Sequence, residues 1–329
     1  MRRVTSNQFA NNAMWKFADM ISNKLILLVI TILLARLIAP EAYGIVALTT
    51  VFIAFSDIFI QNGFNIALIR KETVDEIDYS TVTTMSLVFT VFMYLIIFVT
   101  APYAASFYKS PDLCLVLRII TILLFFRSIV SVIRAKGTRE LQFKKMVISA
   151  FISNVSAGVI ALVLAYLGWG IWTLVAQQLL AGFLDMIILM HIFRWHLSLK
   201  ISFSVVKGML KFTVGVLGTS FLDFLGNNVS SLIIGKSYST KDLGYYNRAN
   251  IFPETIGLNA YNSINSVLLP TLASLQNDRD AMKRVTRKVM SLTEYIILPM
   301  MFGLIGVANV LIPVLLTDKW VPSISLMYF

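Results

Sequence analysis

The chain has 329 residues, of which 57% are hydrophobic and only 14% are charged, and its mean hydropathy is +0.78. A soluble globular domain carries about a quarter charged residues, so this composition argues against a soluble enzyme. The net charge of +11 does not indicate a nucleic-acid partner, because the basic residues lie in short connectors between apolar stretches. The single cysteine, Cys114, excludes an internal disulfide, and no ligand spacing for a metal or cofactor is present in the sequence.

Nine apolar stretches follow one another along the chain, each long enough for the about 20 helical residues that cross a bilayer. Only helices and closed barrels satisfy their backbone groups in lipid, and the strands of a barrel alternate apolar and polar residues. These runs lack that strict alternation, so they predict helices. The sequence therefore predicts an all-α polytopic membrane protein, whose first span is retained and whose tenth apolar segment begins near Val321. The predicted spans are Ala13–Ile38, Tyr43–Ile69, Thr81–Tyr108, Leu113–Ile133, Met146–Leu167, Gly170–Phe193, Gly208–Gly235, Ala249–Leu275 and Val289–Leu316.

The connectors predict the orientation in the membrane. With the N-terminus in the cytoplasm, 19 of the 28 basic residues fall in cytoplasmic segments, 6 in external segments and 3 within spans. Lys and Arg accumulate on the cytoplasmic side of membrane proteins, so we expect a cytoplasmic N-terminus. The external loops are only a few residues long, apart from Lys236–Arg248, which leaves no room for a catalytic domain.

The chain also contains a weak internal repeat. At a shift of 200 residues, Arg36 aligns with Lys236, and the pattern of span, short loop and span recurs. Parallel repeats in transporters are related by an axis along the membrane normal, so we expect two six-helix bundles. The predicted divisions are a six-helix bundle over 1–194, a cytoplasmic linker over 195–207, and an incomplete second bundle over 208–329. The second bundle would hold helices 7–9 and the start of helix 10, since a full match to the first would run to roughly residue 400.

Several polar residues lie inside the predicted spans, where an ionisable group costs about 2.5–3.5 kcal/mol on insertion scales. Such groups usually face an aqueous cavity or pair with each other, and both alternatives remain open here. No nucleotide-binding, dinucleotide-binding or zinc-protease motif is present, so transport is favoured over enzymatic chemistry. The ionisable residues are Asp19, Lys24, Asp57, Arg118, Arg127, Asp185 and Asp223, and the uncharged polar ones include Asn62, Asn154, Gln178 and Asn227.

A series of short motifs resembles the bacterial polysaccharide flippases, the O-antigen, capsule and exopolysaccharide exporters of the multidrug/oligosaccharidyl-lipid/polysaccharide superfamily. The first is the segment Ala35–Gly44, and the most specific is Leu243-Gly244-Tyr245-Tyr246-Asn247-Arg248-Ala249. Others are Gly63-Phe64 with Ala67–Arg70, Arg139–Lys144, Gly168–Trp172 and Ile233–Lys236. One departure is Ser230, where the family often carries an aspartate.

The resemblance implies alternating access in a bacterial inner membrane, with an undecaprenyl-pyrophosphate-linked oligosaccharide moved to the outer leaflet for lipopolysaccharide or related polymers. It also implies a proton or sodium ion as coupling ion, with membrane lipids and a polysaccharide polymerase as partners and no nucleic acid. We expect a cationic cavity for the pyrophosphate, formed from Arg36, Arg127, Lys236, Arg248, Lys24, Asn62 and Asn227. The ion-coupling candidates are Asp57 and Asp223.

Two other functions remain open from the sequence. A drug exporter of the same superfamily would share the architecture, but is expected to carry acidic cavity residues for cationic drugs. A polytopic enzyme of the polysaccharide pathway, such as a polymerase, would need a large catalytic loop, which these 329 residues lack.

Overall fold

The computed structural model describes residues 27–274 and 278–328, which fold as helices joined by short turns, with no strand in these ranges. The chain forms two compact units, Met1–Leu243 and Gly244–Phe329. The helices are α1 Leu27–Leu37, α2 Pro40–Asp57, α3 Gly63–Arg70, α4 Glu76–Phe107, α5 Pro111–Ile120, α6 Leu123–Arg139, α7 Phe143–Tyr166, α8 Ile171–Ile192, α9 Phe203–Ser237, α10 Thr240–Ser274, α11 Arg279–Leu316 and α12 Ser323–Leu326. A π-helix, Ile58–Asn62, joins α2 to α3, and a 3-10 helix, Asp318–Trp320, follows α11.

Seven helical segments within the described ranges are long and apolar enough to cross a membrane, which confirms the predicted all-α polytopic fold. They are Pro40–Arg70, Glu76–Phe107, Pro111–Arg139, Phe143–Tyr166, Ile171–Ile192, Phe203–Ser237 and Asp280–Leu316. Of the predicted first span, Ala13–Ile38, the part before Leu27 lies outside the described residues.

The predicted eighth span, Ala249–Leu275, differs from the structure. It falls on α10, which is helical but is not among the seven apolar segments. The reason is its composition, since polar residues recur along the helix at Asn247, Asn250, Glu254, Asn259, Asn262 and Asn265. A helix this polar is expected to face protein or water rather than lipid along much of its length.

Two predicted spans contain interruptions that hydropathy does not reveal. The fourth is interrupted at Thr121, where α5 ends and α6 begins within one apolar run, and Thr121 Oγ1 donates to the carbonyl of Leu117 at 2.5 Å. The second is broken by the π-helix. The carbonyl oxygen of Ile60 accepts hydrogen bonds from Asn65 Nδ2 at 3.0 Å and from Ser86 Oγ at 3.2 Å. Side chains therefore satisfy a backbone group at the π-helix, a type of interruption often found at functional sites.

The helical register repeats at the interval that the sequence indicates. α1 ends at Leu37 and α2 begins at Pro40, while α9 ends at Ser237 and α10 begins at Thr240, a shift of 200 residues in both cases. Within the first unit, α9 packs against α2 and α3. The predicted division at 195–207 stays a prediction.

The segment that follows α8 is held against the start of α4. Ser80 Oγ donates to the carbonyl of Ser198 at 2.9 Å and accepts from the backbone N–H of Lys200 at 2.7 Å. The backbone N–H of Ser202 donates to Thr81 Oγ1 at 3.1 Å. Ser80 and Thr81 are buried, so these bonds fix the connector in place between α8 and α9.

Arg139 supplies the cap that closes the C-terminal end of α3. Its guanidinium donates to the carbonyls of Leu68 at 3.0 Å, Ile69 at 2.8 Å and Glu72 at 3.2 Å, and also to that of Lys71. The last carbonyls of a helix have no intrahelical partner, and a forked cation satisfies several of them at once.

We expect Arg139→Ala to lower the stability of the purified protein by about 2 kcal/mol, the range of a lost charge-assisted hydrogen bond. Thermal unfolding in detergent measures the effect. Lys207→Ala, at an exposed lysine of α9, is the control and should shift the midpoint little. An unchanged midpoint for Arg139→Ala would show that the cap does not contribute to stability.

Candidate functional site

A polar cavity of about 290 Å³ lies among α6, α7 and α8, within helices that are otherwise apolar. Charged side chains from two neighbouring helices, α6 and α8, meet in it. We call it the bundle cavity, and it is lined by Leu123, Arg127, Val130, Arg134, Ala150, Ser153, Asn154, Gln178, Ala181, Gly182 and Asp185.

The first ion pair of the bundle cavity joins Arg127 to Asp57. Arg127 lies on α6, and its Nη1 donates to Oδ2 of Asp57, the last residue of α2 before the π-helix. The side chain of Asp57 is 17% exposed, whereas that of Arg127 is 38% exposed. Asp57 is therefore held inside the unit, while the side chain of Arg127 is partly exposed and lines the cavity.

The second ion pair joins Arg134 to Asp185 across α6 and α8. Arg134 Nη2 donates to Asp185 Oδ2 at 2.8 Å, and Ser149 Oγ of α7 donates to Asp185 Oδ1 at 2.6 Å. Both carboxylate oxygens are thus hydrogen-bonded, and three helices are tied together at one side chain. The side chain of Arg134 is 38% exposed, as that of Arg127 is.

The two arginines form a short ladder along one face of α6. They are seven residues apart, which places them on the same helix face about 10 Å apart along the axis. A guanidinium has five N–H donors, so each arginine retains donors after binding its aspartate. The two pairs sum to zero charge. The bundle cavity can therefore accept polar or anionic groups at the arginines, but only in competition with the two carboxylates.

A second opening, the α3–α9 groove, runs between α3 and α9. Its two adjoining parts have volumes of about 500 and 610 Å³. Arg70 lines both parts, with its guanidinium carbon 4.6 Å from the ring centroid of Phe212. Lys211 adds a second cation in one part, and Lys71, which is paired with Asp78, and Glu72 line the other part. The groove therefore combines cations with apolar side chains, an arrangement that suits an amphipathic anion.

Among the described residues predicted to form a site, Arg127 and Asp57 form an ion pair. Asn62 is the last residue of the π-helix, and its Nδ2 donates to Ser220 Oγ of α9 at 3.3 Å. Asp223 and Asn227 lie exposed on α9, four residues apart and so near each other on the helix surface.

The other predicted cations have different surroundings. Lys236, near the end of α9, donates to the carbonyl of Phe107 at 2.9 Å and lies 3.7 Å from the centroid of its ring. Arg248 is buried in the second unit, with its guanidinium carbon 5.9 Å from the centroid of Trp320. Arg36 is exposed in the last turn of α1, and Lys24 lies outside the described residues.

The sequence reasoning did not include two contributors to the bundle cavity, Arg134 and Ser149, among the candidate site residues. Arg134 follows the predicted fourth span, Leu113–Ile133, and it lies within α6, where it pairs with Asp185. Its spacing of seven residues from Arg127, which puts both on one helix face, is the signal in the sequence that points to it. No sequence pattern marks Ser149, whose role depends on α7 packing beside α8.

Comparison with known proteins identifies the family. Residues 33–325 match the polysaccharide biosynthesis protein family. The chain belongs to this family. The match covers most of the chain, including both ion pairs of the bundle cavity and the α3–α9 groove.

Three relatives have names that refer to polysaccharide biosynthesis. The succinoglycan biosynthesis transport protein ExoT of Rhizobium meliloti is 26% identical over 88% of this chain and 58% of its own length. The teichuronic acid biosynthesis protein TuaB of Bacillus subtilis is 22% identical over 83% of this chain and 57% of its own length. The lipopolysaccharide biosynthesis protein WzxC of Escherichia coli is 22% identical over 87% of this chain and 59% of its own length. The chain thus spans somewhat more than half the length of these relatives.

A solved structure shows the same fold. The lipid II flippase MurJ, in an inward closed conformation, superposes with a TM-score of 0.68 over 97% of this chain and 71% of the MurJ chain. The sequence identity is 14%, so the likeness concerns the arrangement of helices.

Proposed function

We propose that the chain belongs to a transporter that moves a lipid-linked oligosaccharide across the bacterial inner membrane for surface polysaccharide biosynthesis. The substrate class is an undecaprenyl-pyrophosphate-linked oligosaccharide, moved from the cytoplasmic to the outer leaflet. The observation that carries the proposal is the presence of two partly exposed arginine side chains, Arg127 and Arg134, at a cavity inside an apolar bundle. Arginine forks match the geometry of phosphate oxygens. Family membership and the names of the relatives support the same reading.

In this proposal the protein is a transporter rather than an enzyme, and it works by alternating access. The α3–α9 groove, with Arg70 and Lys211, offers a place where a lipid pyrophosphate can be received. Asp57 and Asp223 are the candidates for carrying a coupling proton or sodium ion, and a polysaccharide polymerase is a candidate partner. The observations give export of a cationic drug less support, because Asp185 of the bundle cavity and Asp57, the partner of its Arg127, are both paired with arginines.

Complementation tests the proposed function. The full-length gene is introduced into a strain that lacks its own polysaccharide flippase, and surface polysaccharide is measured with a polymer-specific antibody or lectin. We expect polymer to return to the cell surface, and the lipid-linked precursor that accumulates inside to fall. Expression at normal levels without return of surface polymer in strains that make each of the common polymer classes would count against the proposal.

The proposed orientation gives a separate prediction. Tyr238 is 71% exposed between α9 and α10, and Ser204 is exposed in the first turn of α9, at opposite ends of this helix. We expect an impermeant thiol reagent to label Tyr238→Cys in intact spheroplasts and to label Ser204→Cys only after the membrane is opened. Cys114→Ser is included in both proteins. The reverse pattern would place the N-terminus outside.

A further inference from the structure

A second polar pocket lies apart from the bundle cavity, at the end of the first unit where α4 begins, α6 ends and α8 ends. Its volume is about 270 Å³. We call it the headgroup pocket, and it is lined by Glu76, Tyr79, Ser80, Lys136, Arg194, Trp195, His196 and Ser198.

Lys136 brings a half-buried positive charge into the headgroup pocket. Its Nζ lies 5.5 Å from the ring centroids of both Tyr79 and Trp195, whose rings meet edge to face at 5.8 Å. No carboxylate forms an ion pair with Lys136 within the described part of the chain. A cation held between two rings is partly desolvated, and an anionic partner would offset that cost.

Trp195 and Arg194 add donors beside this lysine. Arg194 has a left-handed backbone, with φ 47°, and the N–H of Trp195 donates to the carbonyl of Met190 at 2.8 Å, which closes α8. This turn directs the chain so that Trp195 packs on Tyr79. The indole Nε1 of Trp195 is buried, and no described residue accepts its hydrogen bond. A buried donor without an acceptor costs about 1–3 kcal/mol, which a bound acceptor would recover.

The residues that follow the pocket present an apolar edge. Leu197, Leu199 and Ile201 are 46%, 59% and 43% exposed. They alternate with Ser198 and Lys200, whose polar groups bond to Ser80 of α4. In a protein that spans a bilayer, an extended segment with one polar and one apolar edge at the ends of three helices suits the membrane interface.

From these features we infer that the headgroup pocket binds the phosphate of an anionic phospholipid of the surrounding bilayer, with its acyl chains along Leu197, Leu199 and Ile201. Lys136 supplies a point charge, Arg194 a forked donor and Trp195 a neutral N–H, all of which suit an acceptor-only phosphate. The carboxylate of Glu76 opposes an anion, but Glu76 is exposed and screened by solvent. Basic pockets between membrane helices are known places for lipid headgroups. This inference does not depend on the proposed function.

Native mass spectrometry of the full-length protein in detergent tests the inference. The protein is titrated with phosphatidylglycerol or with phosphatidylcholine, and the bound lipid is counted. We expect phosphatidylglycerol to bind more tightly, and Lys136→Gln and Arg194→Gln each to weaken it by about tenfold, the effect of one lost charge-assisted contact. Trp195→Phe keeps the ring and loses the N–H, so it should weaken binding by less. Lys207→Gln removes an exposed charge of the same sign outside the pocket and should leave the affinity unchanged.

Three outcomes would overturn the inference. Equal affinity for the two lipids would show that charge does not determine binding. Unchanged phosphatidylglycerol binding in Arg194→Gln would show that the lipid does not bind in the headgroup pocket. Displacement of the lipid by an equal concentration of inorganic phosphate would assign the site to a soluble anion. Arg194 has an exposed side chain outside the helices, so its variant is expected to fold even if Lys136→Gln does not. Polysaccharide export is a separate measurement, so loss of lipid binding leaves the transport proposal standing.

Discussion

Arg127→Ala is expected to abolish export of surface polysaccharide while the protein still reaches the membrane. In the proposed function, the partly exposed guanidinium of Arg127 binds the pyrophosphate of the substrate from the bundle cavity. Arg127→Lys is expected to restore only part of the export, because a point charge replaces a fork that binds two oxygens. Export is measured by complementation, and the amount of inserted protein by immunoblotting of membranes.

The ion pair with Asp57 requires a control, because it also contributes to stability. Removing one partner leaves the other charge unpaired. The expected cost lies between the about 1 kcal/mol of an exposed pair and the about 3–5 kcal/mol of a buried one. The double variant Asp57→Asn with Arg127→Gln removes both charges and should restore expression. If Arg127 serves the substrate, or Asp57 carries the coupling ion, this double variant still fails to export. If the pair is only structural, the double variant exports normally.

A matched variant tests whether the loss of export is specific to Arg127 rather than a result of losing any arginine. Arg118 lies on α5, with its guanidinium carbon 4.3 Å from the ring centroid of Phe98, and does not line the bundle cavity. Arg118→Ala is expected to export at the normal level. Full export by a normally expressed Arg127→Ala protein would refute the substrate role of Arg127.

Asn65→Leu is expected to destabilise the protein at the π-helix. Asn65 is only 4% exposed, and its Nδ2 donates to the carbonyl of Ile60 and to Ser131 Oγ, both at 3.0 Å. Leucine has a similar volume but no donor, so both hydrogen bonds are lost, while the Ile60 carbonyl keeps its bond from Ser86. We expect a loss of about 1–3 kcal/mol, the sum for two lost hydrogen bonds of about 0.5–1.5 kcal/mol each, and a lower unfolding midpoint in detergent.

Asn228→Leu is the matched control for this change. Asn228 Nδ2 donates to the carbonyl of Phe224 on its own helix at 3.0 Å, and the residue is half-buried on α9. This carbonyl lies within a regular helix, so loss of the side-chain bond should change the midpoint little. Equal midpoints for Asn65→Leu and Asn228→Leu would show that the π-helix does not depend on its side-chain bonds.

The sequence predicted the existence of most spans, because bilayer thickness imposes a minimum apolar length that hydropathy detects. The sequence was less accurate about where each helix begins and ends. The predicted span Val289–Leu316 became α11, which begins ten residues earlier at Arg279, after Asp278 accepts hydrogen bonds from the N–H groups of Asp280 and Ala281. Hydropathy reports only the part of a helix that lies in lipid, whereas caps determine where the helix begins.

The candidate site was harder to predict than the fold, because charge pairing depends on how helices distant in sequence pack. The separation between Arg127 and Asp57 is 70 residues, and that between Arg134 and Asp185 is 51. The rule that buried charges seek partners indicated that partners exist, but not which ones. Lys236 illustrates the limit, since its aromatic and carbonyl contacts with Phe107 follow no sequence motif.

The glycines of α9 offer a means of following what surrounds this helix. A Cβ added at Gly208, Gly215, Gly218 or Gly226 would meet no heavy atom of the described chain within 4 Å, whereas at Gly158 it would lie 2.2 Å from Ile30 Cδ1. A nitroxide spin label should therefore fit at these four positions of α9 without distorting the packing. In the full-length protein, its paramagnetic relaxation by oxygen or by a nickel chelate would report whether lipid, water or protein covers this face. A change in that signal on adding the proposed lipid-linked substrate would show that the surroundings of α9 change on binding.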